Sequence, residues 1–177
     1  AVQDIKAGII DRALVGGLSL TLDPNMHLSF RLFSMLSPTG HCHAFDSRAD
    51  GYCRSEGVAC IVLERGEEGY AVIGGTGTNS DGATPQGITY PSSAQQGALM
   101  KQVFASSSVK PSQVTYHEAH GTGTVAGDRE ELAGLSSVYS KNNQWVGSVK
   151  SNMGHAEGCS GLMGLIKILL MYEDGLL

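Results

Sequence analysis

The chain has 177 residues, of which 41% are hydrophobic and 16% charged, and its formal net charge is −5 at pH 7. This balance is typical of a folded globular protein and excludes an intrinsically disordered one. Because the net charge is negative and lysine and arginine form no run, we expect no nucleic-acid-binding surface. The longest apolar run, residues 162–172, is interrupted by Lys167 and is shorter than the about 18 residues of a membrane span, so we expect no membrane association.

The first third of the chain predicts two strands and the helices beside them. In order, the predicted elements are the end of a helix (1–10), a strand (12–22), a helix (25–35) and a strand (57–63). Asp23 followed by Pro24 is typical of the start of a helix, as an N-cap and the first helical position. A charged turn at residues 64–69 follows. We place a boundary there, between residues 1–66 and residues 67–177.

The remainder of the chain predicts a regular alternation of strands and helices. In order, the elements are a strand (70–78), a helix (94–106), a strand (114–118), a helix capped by Asp128 (128–139), a strand (145–149) and a helix (157–172). Such an alternation is typical of an α/β layered fold. The last helix is apolar on nearly all sides, so we expect it to be buried.

The first chemical motif is His120-Gly121-Thr122-Gly123-Thr124, which follows a short predicted strand. The glycines allow a ligand to lie against the backbone, and the threonines offer hydroxyl groups to a polar chain. A histidine at the end of a strand stands where catalytic groups are often presented. Taken alone, the motif is equally compatible with a histidine that satisfies a carbonyl in a turn.

The second motif, Lys150 to His155, also follows a predicted strand and leads into an apolar helix, whose N-terminus presents free N–H groups. A lysine ammonium disfavours the charged imidazolium, so Lys150 favours the neutral form of His155. A neutral imidazole can donate its N–H to a developing oxyanion. The structural alternative is a solvated lysine beside a capping histidine. The presence of both motifs, each at a strand end, favours the chemical interpretation.

These residues resemble the motifs of the β-ketoacyl synthases (ketosynthases). Residues 117–128 are similar to the motif EAHGTGTxxGDP, with Arg129 in place of the proline, and residues 150–158 are similar to KSNxGHxEG. Residues 44–57 resemble AFDxxADGYxRxEG, and residues 79–91 resemble NxDGxxxGxTxP. The resemblance covers nearly the whole chain in the family's order, and it is closest to the ketosynthases of type I fatty acid and polyketide synthases.

The resemblance implies the thiolase fold, with five αβαβα layers in the full domain and only part of them in this chain. It implies a 3-oxoacyl-[acyl-carrier-protein] synthase, an acyltransferase that carries out decarboxylative Claisen condensation. In that reaction, malonyl on the phosphopantetheine of an acyl carrier protein loses CO2, and the enolate attacks an acyl thioester held on an enzyme cysteine. The enzyme would be a cytoplasmic homodimer, with no cofactor or metal bound directly.

The resemblance also implies residue roles. His120 and His155 would hydrogen-bond the malonyl carbonyl oxygen, Lys150 would orient and tune His155, and Thr122 and Thr124 would contact the phosphopantetheine arm. The family's nucleophilic cysteine lies in a TACSSS segment that this chain does not contain. The chain instead has four cysteines without a CxxC pair, which we interpret as reduced packing thiols: Cys42, Cys53, Cys60 and Cys159.

The missing nucleophile leaves a second hypothesis open. The chain lacks an initiator methionine and ends on Leu176 and Leu177 without a polar tail, as expected of a piece of a longer protein. Such a piece could be catalytically inert and bind only a carrier protein or a partner chain.

Three other functions fit the sequence less well. Residues 121–126 match the dinucleotide-binding pattern GxGxxA, but residues 132–156 contain no acidic residue to bind a ribose. The histidines and cysteines between residues 41 and 60 suggest zinc, but Cys60 lies within an apolar strand and only the end at residues 41–43 has closely spaced ligands. A serine hydrolase would need a GxSxG elbow, which the sequence does not contain.

Overall fold

The computed structural model describes residues 1–66, 68–87, 89–139 and 144–176. Its elements are α1 (Val2–Lys6), β1 (Arg12–Ser19), α2 (Pro24–Leu32), β2 (Gly57–Glu64), α3 (Ser93–Ala105), β3 (Tyr116–Glu118), α4 (Val125–Tyr139), β4 (Trp145–Gly147), α5 (Lys150–Met153) and α6 (Ser160–Asp174). Short 3₁₀ turns cover Pro111–Gln113 and Glu157–Cys159. The mixture of helices and strands confirms the α/β prediction. Within the described ranges, no helix is both long and apolar enough to cross a membrane.

Strands β1 and β2 form an antiparallel pair whose register runs from Arg12 opposite Glu64 to Ser19 opposite Gly57. One face of the pair packs on a small core of Ala59, Ala156 and Cys159, to which α6 contributes partly buried side chains. Because side chains alternate along a strand, the other face carries the exposed apolar residues. These are Leu14, Leu18, Val58 and Val62.

Strands β3 and β4 form a parallel pair, with His117 opposite Val146 and Glu118 opposite Gly147. The Ala119 N–H continues the ladder to the Gly147 carbonyl oxygen at 2.8 Å. Because parallel strands run in the same direction, their carboxyl ends meet at one edge of the sheet. This pairing brings the segment that carries His120 next to the segment that leads to Lys150.

Two predicted elements differ from the structure. Residues 70–78 form no strand, because they lie against α3 rather than beside another strand in the described part of the chain. A methyl group added at Gly77 would come within 2.6 Å of Val103 and 2.9 Å of Leu99, so only glycine allows this approach. Helix α4 begins at Val125, so Asp128 lies in its first turn and is not its cap.

The last helix is also less buried than predicted. Only Gly164 of α6 is fully buried, while Leu170 and Tyr172 are 53% and 67% exposed. The helix packs on the β1–β2 pair and on β3, whereas residues 172–176 at its far end are exposed. Glu67 at the predicted boundary, Ile88 in the loop motif and Leu177 lie outside the described residues.

Candidate active site

The two histidines predicted from the sequence motifs meet in the structure. The ring centroids of His120 and His155 are 5.2 Å apart, and the rings are nearly perpendicular, with an interplanar angle of 86°. Both rings line a cavity of about 1080 Å³. Thr122 and Thr124 line the same cavity, so four of the five predicted site residues face one space.

The loop that carries His120 is held through its backbone. The Glu131 carboxylate, from α4, accepts the N–H groups of His120 at 2.6 Å and Gly121 at 2.8 Å. Gly121 has a φ of +43°, which is unfavourable for residues with a side chain. Although His120 is exposed toward the cavity, the surrounding protein desolvates its ring and lowers its pKa, and the Lys150 ammonium lowers this pKa further.

Asp128 anchors the rest of this loop. Its buried carboxylate accepts the Phe45 N–H at 2.6 Å and the Gly123 N–H at 3.1 Å. Gly123 has a φ of +79°, and a methyl group added there would come within 2.6 Å of the His43 nitrogen. The Asp128 carboxylate therefore links the glycine-rich loop to the loop of residues 42–45. At Gly123 the two loops are so close that only glycine fits.

Thr122 and Thr124 place their hydroxyl groups 3.2 Å apart at the cavity wall. Thr122 is 6% exposed, whereas Thr124 is half-buried. Two adjacent hydroxyl groups, each both donor and acceptor, can bind amide groups of an extended ligand.

The segment that carries His155 is held by both backbone and ring. The His155 N–H donates to the Cys53 carbonyl at 2.7 Å, and the His155 carbonyl accepts the Ser55 N–H at 3.0 Å. The ring atom Nδ1 accepts the Glu157 N–H at 3.0 Å. Because Nδ1 is an acceptor, the proton of the neutral ring resides on Nε2. The Tyr52 ring packs against the imidazole, with centroids 5.2 Å apart.

The environment of His155 keeps its ring neutral. Burial, followed by the nearby His120 and the Lys150 ammonium, lowers the pKa of His155 to about 4. At neutral pH the ring is therefore an uncharged donor through Nε2, which is the form that can stabilise a developing oxyanion.

Lys150 begins α5 and is only 4% exposed. Burial lowers its pKa, while the carboxylates of Glu131 and Glu118 oppose this effect. Among the residues that the structure describes, no carboxylate forms an ion pair with its ammonium. Lys150 does not line the cavity itself, but its charge lowers the pKa of both histidines.

The Glu118 carboxylate stabilises the segments that carry both motifs. Its Oε1 accepts the Val149 N–H at 2.5 Å, and its Oε2 accepts bonds from the Tyr116 hydroxyl and the Lys167 ammonium, each at 2.7 Å. A methyl group at Gly164 would come within 3.1 Å of the Glu118 side chain, so the glycine makes room for this carboxylate. The carboxylate thus links β3, the turn before Lys150, and α6.

The four cysteines differ in how deeply they are buried. All four cysteines are free. Cys42 and Cys159 are buried and Cys53 is partly buried, whereas Cys60 is exposed on the outer face of β2. No group of three histidine, cysteine, aspartate or glutamate side chains in the described ranges is arranged to hold a metal ion.

Sequence reasoning missed the residues that hold the site together: Tyr52, Glu118, Asp128, Glu131 and Glu157. Glu118 and Glu157 lie within the two motifs, so their position was a usable signal. Glu131 lies on α4 eleven positions after His120, and no spacing rule connects a helix carboxylate to the backbone of a distant loop. Asp128 also lies in the first motif and Tyr52 in the family-like segment 44–57, but their contacts form only through the fold.

Comparisons with known proteins agree with this arrangement. Residues 1–69 match the family model of the β-ketoacyl synthase N-terminal domain, and residues 70–177 match that of its C-terminal domain. The chain is 46% identical over 187 residues to the reducing polyketide synthase PKS1 of Cochliobolus heterostrophus, covering 100% of this chain and 7% of that protein. It is 41% identical over 182 residues to the fatty acid synthase of Anser anser anser, covering 99% of this chain and 52% of that protein.

Solved structures give the same result. The ketosynthase from module 6 of the bacillaene synthase of Bacillus subtilis 168 superimposes with a TM-score of 0.93 at 40% identity, covering 97% of this chain and 32% of that one. The oxazolomycin ketosynthase domain OzmH KS7 of Streptomyces albus JA3453 gives 0.89 at 32% identity, covering 96% and 31%. The fold is therefore thiolase-like, as expected, and the chain spans about a third of those ketosynthases. The chain belongs to the β-ketoacyl synthase family.

Proposed function

We propose that this chain forms part of a 3-oxoacyl-[acyl-carrier-protein] synthase, which condenses malonyl on an acyl carrier protein with an enzyme-bound acyl thioester in fatty acid or polyketide chain elongation. The observation that carries the proposal is the pair of histidine rings, both with lowered pKa, on the wall of one cavity. Two neutral donors at one point suit a reaction that develops negative charge on a single oxygen.

The proposed chemistry begins with malonyl thioester. Its bond to the carboxylate carbon breaks, CO2 leaves, and the electron pair moves onto the thioester carbonyl oxygen as an enolate. In the proposal, Nε2–H of His155 and a ring N–H of His120 donate to that oxygen. The enolate carbon then attacks the acyl thioester carbonyl, and the enzyme thiolate leaves.

We infer that the thiol nucleophile lies in the part of the enzyme outside this chain. None of the four cysteines lines the cavity, and two are buried elsewhere. The chain spans about a third of the ketosynthases that it resembles. The remainder of such a domain can therefore supply the thiol.

The other site residues have proposed supporting roles. Lys150 orients His155 and keeps it neutral through its charge. Thr122 and Thr124 bind the phosphopantetheine arm of the acyl carrier protein, which brings malonyl to the histidines. The arm belongs to the substrate, so the site itself needs no resident cofactor. We further propose a cytoplasmic homodimer, and a subunit organised as residues 1–66 and 67–177.

A second candidate function is an inert piece that binds a carrier protein without catalysis. The absence of a cysteine from the cavity wall favours this alternative for the isolated chain. The two functions differ in one property, since only the first predicts condensation when the rest of the domain is present.

The test is a condensation assay on the complete ketosynthase domain, with acyl primer and malonyl-carrier protein, following CO2 release and β-ketoacyl product. His120→Ala and His155→Ala should each lose about 100- to 1,000-fold in kcat, the typical effect of removing one oxyanion donor. His27→Ala, on the exposed side of α2, is the matched control and should keep full activity. An inactive domain that folds and still binds carrier protein would instead support the inert candidate.

A further inference from the structure

Glu157 adopts an unusual backbone conformation directly after His155 and Ala156. Its φ is +40°, in the left-handed region that residues with a side chain rarely adopt. Such a conformation costs about 1–3 kcal/mol and persists only where surrounding contacts enforce it. At Glu157 the surrounding contacts are made by its side chain.

The Glu157 side chain is held by two residues of the segment before β2. Its Oε1 accepts the Tyr52 hydroxyl at 3.1 Å and lies 3.5 Å from Nε of Arg54. The Arg54 side chain is only 8% exposed, and its guanidinium lies over the Phe30 ring, 5.3 Å from the ring centroid. The Arg54 charge is therefore fixed in a protected position, where an ion pair is screened less than at the surface.

The backbone of Glu157 also binds the imidazole ring of His155. The Glu157 N–H is the group that donates to His155 Nδ1, at 3.0 Å. A rotation about φ of Glu157 would turn this N–H relative to the Glu157 side chain and the 3₁₀ turn that follows. As long as the carboxylate is bound, the N–H stays aimed at Nδ1 and the ring proton stays on Nε2.

The Tyr52 ring completes the arrangement. It packs on the His155 ring, while its hydroxyl group donates to the Glu157 carboxylate. One side chain therefore contacts both His155 and Glu157. Arg54 and His155 also form a bridge between their two backbone segments, and the N–H groups and carbonyls beside it bond at 2.7 Å and 3.0 Å. The segment of residues 52–55 and the segment of residues 155–157 therefore form one unit.

We propose that Tyr52, Arg54 and Glu157, here called the Glu157 clamp, are positioning residues that set the tautomer of His155. The clamp holds Glu157 in its left-handed conformation, so that its N–H occupies Nδ1 and leaves Nε2–H as the donor toward the cavity. The inference rests on the proposed function for its effect on catalysis, but the tautomer itself can be measured without activity.

The test uses the complete ketosynthase domain with ¹⁵N-labelled histidine, and it reads the ring nitrogen shifts of His155 and the rate of CO2 release from malonyl-carrier protein. Glu157→Gln removes the charge that faces Arg54, and Glu157→Ala removes the carboxylate while keeping the strain of the left-handed backbone. In both variants the fraction of His155 protonated on Nε2 should fall. We expect kcat to fall about 10-fold or more, as for other losses of a residue that orients a histidine, with KM nearly unchanged.

Three further variants separate positioning from folding. Arg54→Met should reproduce the effect of Glu157→Gln, and Arg54→Lys should restore part of kcat and of the Nε2–H signal. Glu64→Gln removes an exposed ion pair of similar length, 3.2 Å to Arg12, on β2 and outside the cavity, and should change neither readout. The His120 ring should stay neutral at neutral pH in all variants, because losing the Glu157 charge lowers its pKa further.

The result that would overturn the proposal is a folded Glu157→Ala or Glu157→Gln variant with the wild-type tautomer of His155. If Glu157→Ala does not fold, Glu157→Gln alone decides. If the tautomer shifts but the wild-type domain releases no CO2, the clamp is right and the proposed function is wrong. The two failures are therefore distinguishable.

Discussion

The two histidines of the site are held in different ways. The His120 segment is anchored by its backbone, because Glu131 accepts the N–H groups of His120 and Gly121 and leaves the ring free of any hydrogen bond in the described structure. His155 is anchored by its ring, because Nδ1 accepts the Glu157 N–H and the Tyr52 ring packs against it. The position of the His120 ring is thus set by its loop. The donor atom of His155 is set by the hydrogen bond to its Nδ1.

This difference determines which substitutions each histidine should tolerate. A ring without fixed partners can rotate or exchange tautomers to meet a ligand, so His120 depends on the position of its loop. A ring whose Nδ1 is occupied has only one donor, so His155 depends on the residue that occupies Nδ1. Substitutions at the rings and at their anchors should therefore have unequal effects.

Replacing each ring by glutamine is expected to have the largest effect and to separate the two histidines. Glutamine keeps an N–H donor but has no acceptor at the position of Nδ1. His155→Gln should lower kcat for CO2 release about 100-fold, near the full loss of a donor, whereas His120→Gln should lower it only about 10-fold. Steady-state kinetics of the complete domain measure both. Equal losses would show that the mode of anchoring does not matter.

The glycine-rich loop should be the most sensitive part of the His120 anchor. Gly123→Ala places a methyl group 2.6 Å from the His43 nitrogen at a φ of +79°, so it should lower the free energy of unfolding by about 2–3 kcal/mol. Gly161→Ala is the matched control, because a methyl group there meets nothing within 4 Å and lies in α6. The control should be neutral or slightly stabilising in urea unfolding. A neutral Gly123→Ala would contradict the close approach of the two loops.

Glu131→Gln should weaken the backbone anchor without touching the ring of His155. The amide cannot accept two N–H groups with both of its terminal atoms, so one N–H of His120 or Gly121 loses its partner. We expect a loss of about 1.5–3 kcal/mol in stability, the usual value for hydrogen bonds to a charged group, together with a lower kcat. Urea unfolding measures the first effect and CO2 release the second. The ¹⁵N shifts of His155 should not change, and a change would mean that the two anchors are coupled.

The smallest effects should come from the threonines, which in the proposed function bind the substrate's arm and not the reacting oxygen. Thr122→Val and Thr124→Val should each raise KM for malonyl-carrier protein about 5-fold, as expected for the loss of a single hydrogen bond, and should change kcat less than about 2-fold. Malonyl on a truncated thiol without the arm should not distinguish the variants from wild type. A fall in kcat with unchanged KM would place the threonines in the chemistry.

The sequence allowed prediction of the parts of the molecule that follow local rules. The start of α2 was predictable because the Asp23 side chain accepts the free N–H of Asn25. The family motifs located His120, His155, Lys150 and both threonines. The strand predicted at residues 70–78 failed because a strand exists only where another strand pairs with it, and pairing is not a local property.

The anchors were not predictable for a related reason. Glu131 binds backbone groups eleven positions away, and Tyr52 reaches a carboxylate 105 positions away, so neither contact leaves a pattern in the sequence. Asp128 was interpreted as a helix cap because aspartate commonly has that role. In the structure its carboxylate instead binds Phe45 and Gly123 across two loops.

The protonation state of the two histidines is the property on which the account depends most directly. A pH titration of the ring nitrogen shifts in the complete ¹⁵N-histidine-labelled domain measures it. The account predicts that His155 titrates at a pKa of about 4 and His120 below its ordinary value, so that both rings are neutral donors at neutral pH. Lys150→Met should raise both pKa values, because the lysine charge lowers them. If either ring titrates above the ordinary value of about 6.5, it carries a proton at neutral pH that this account does not allow, and the pair of neutral donors is wrong.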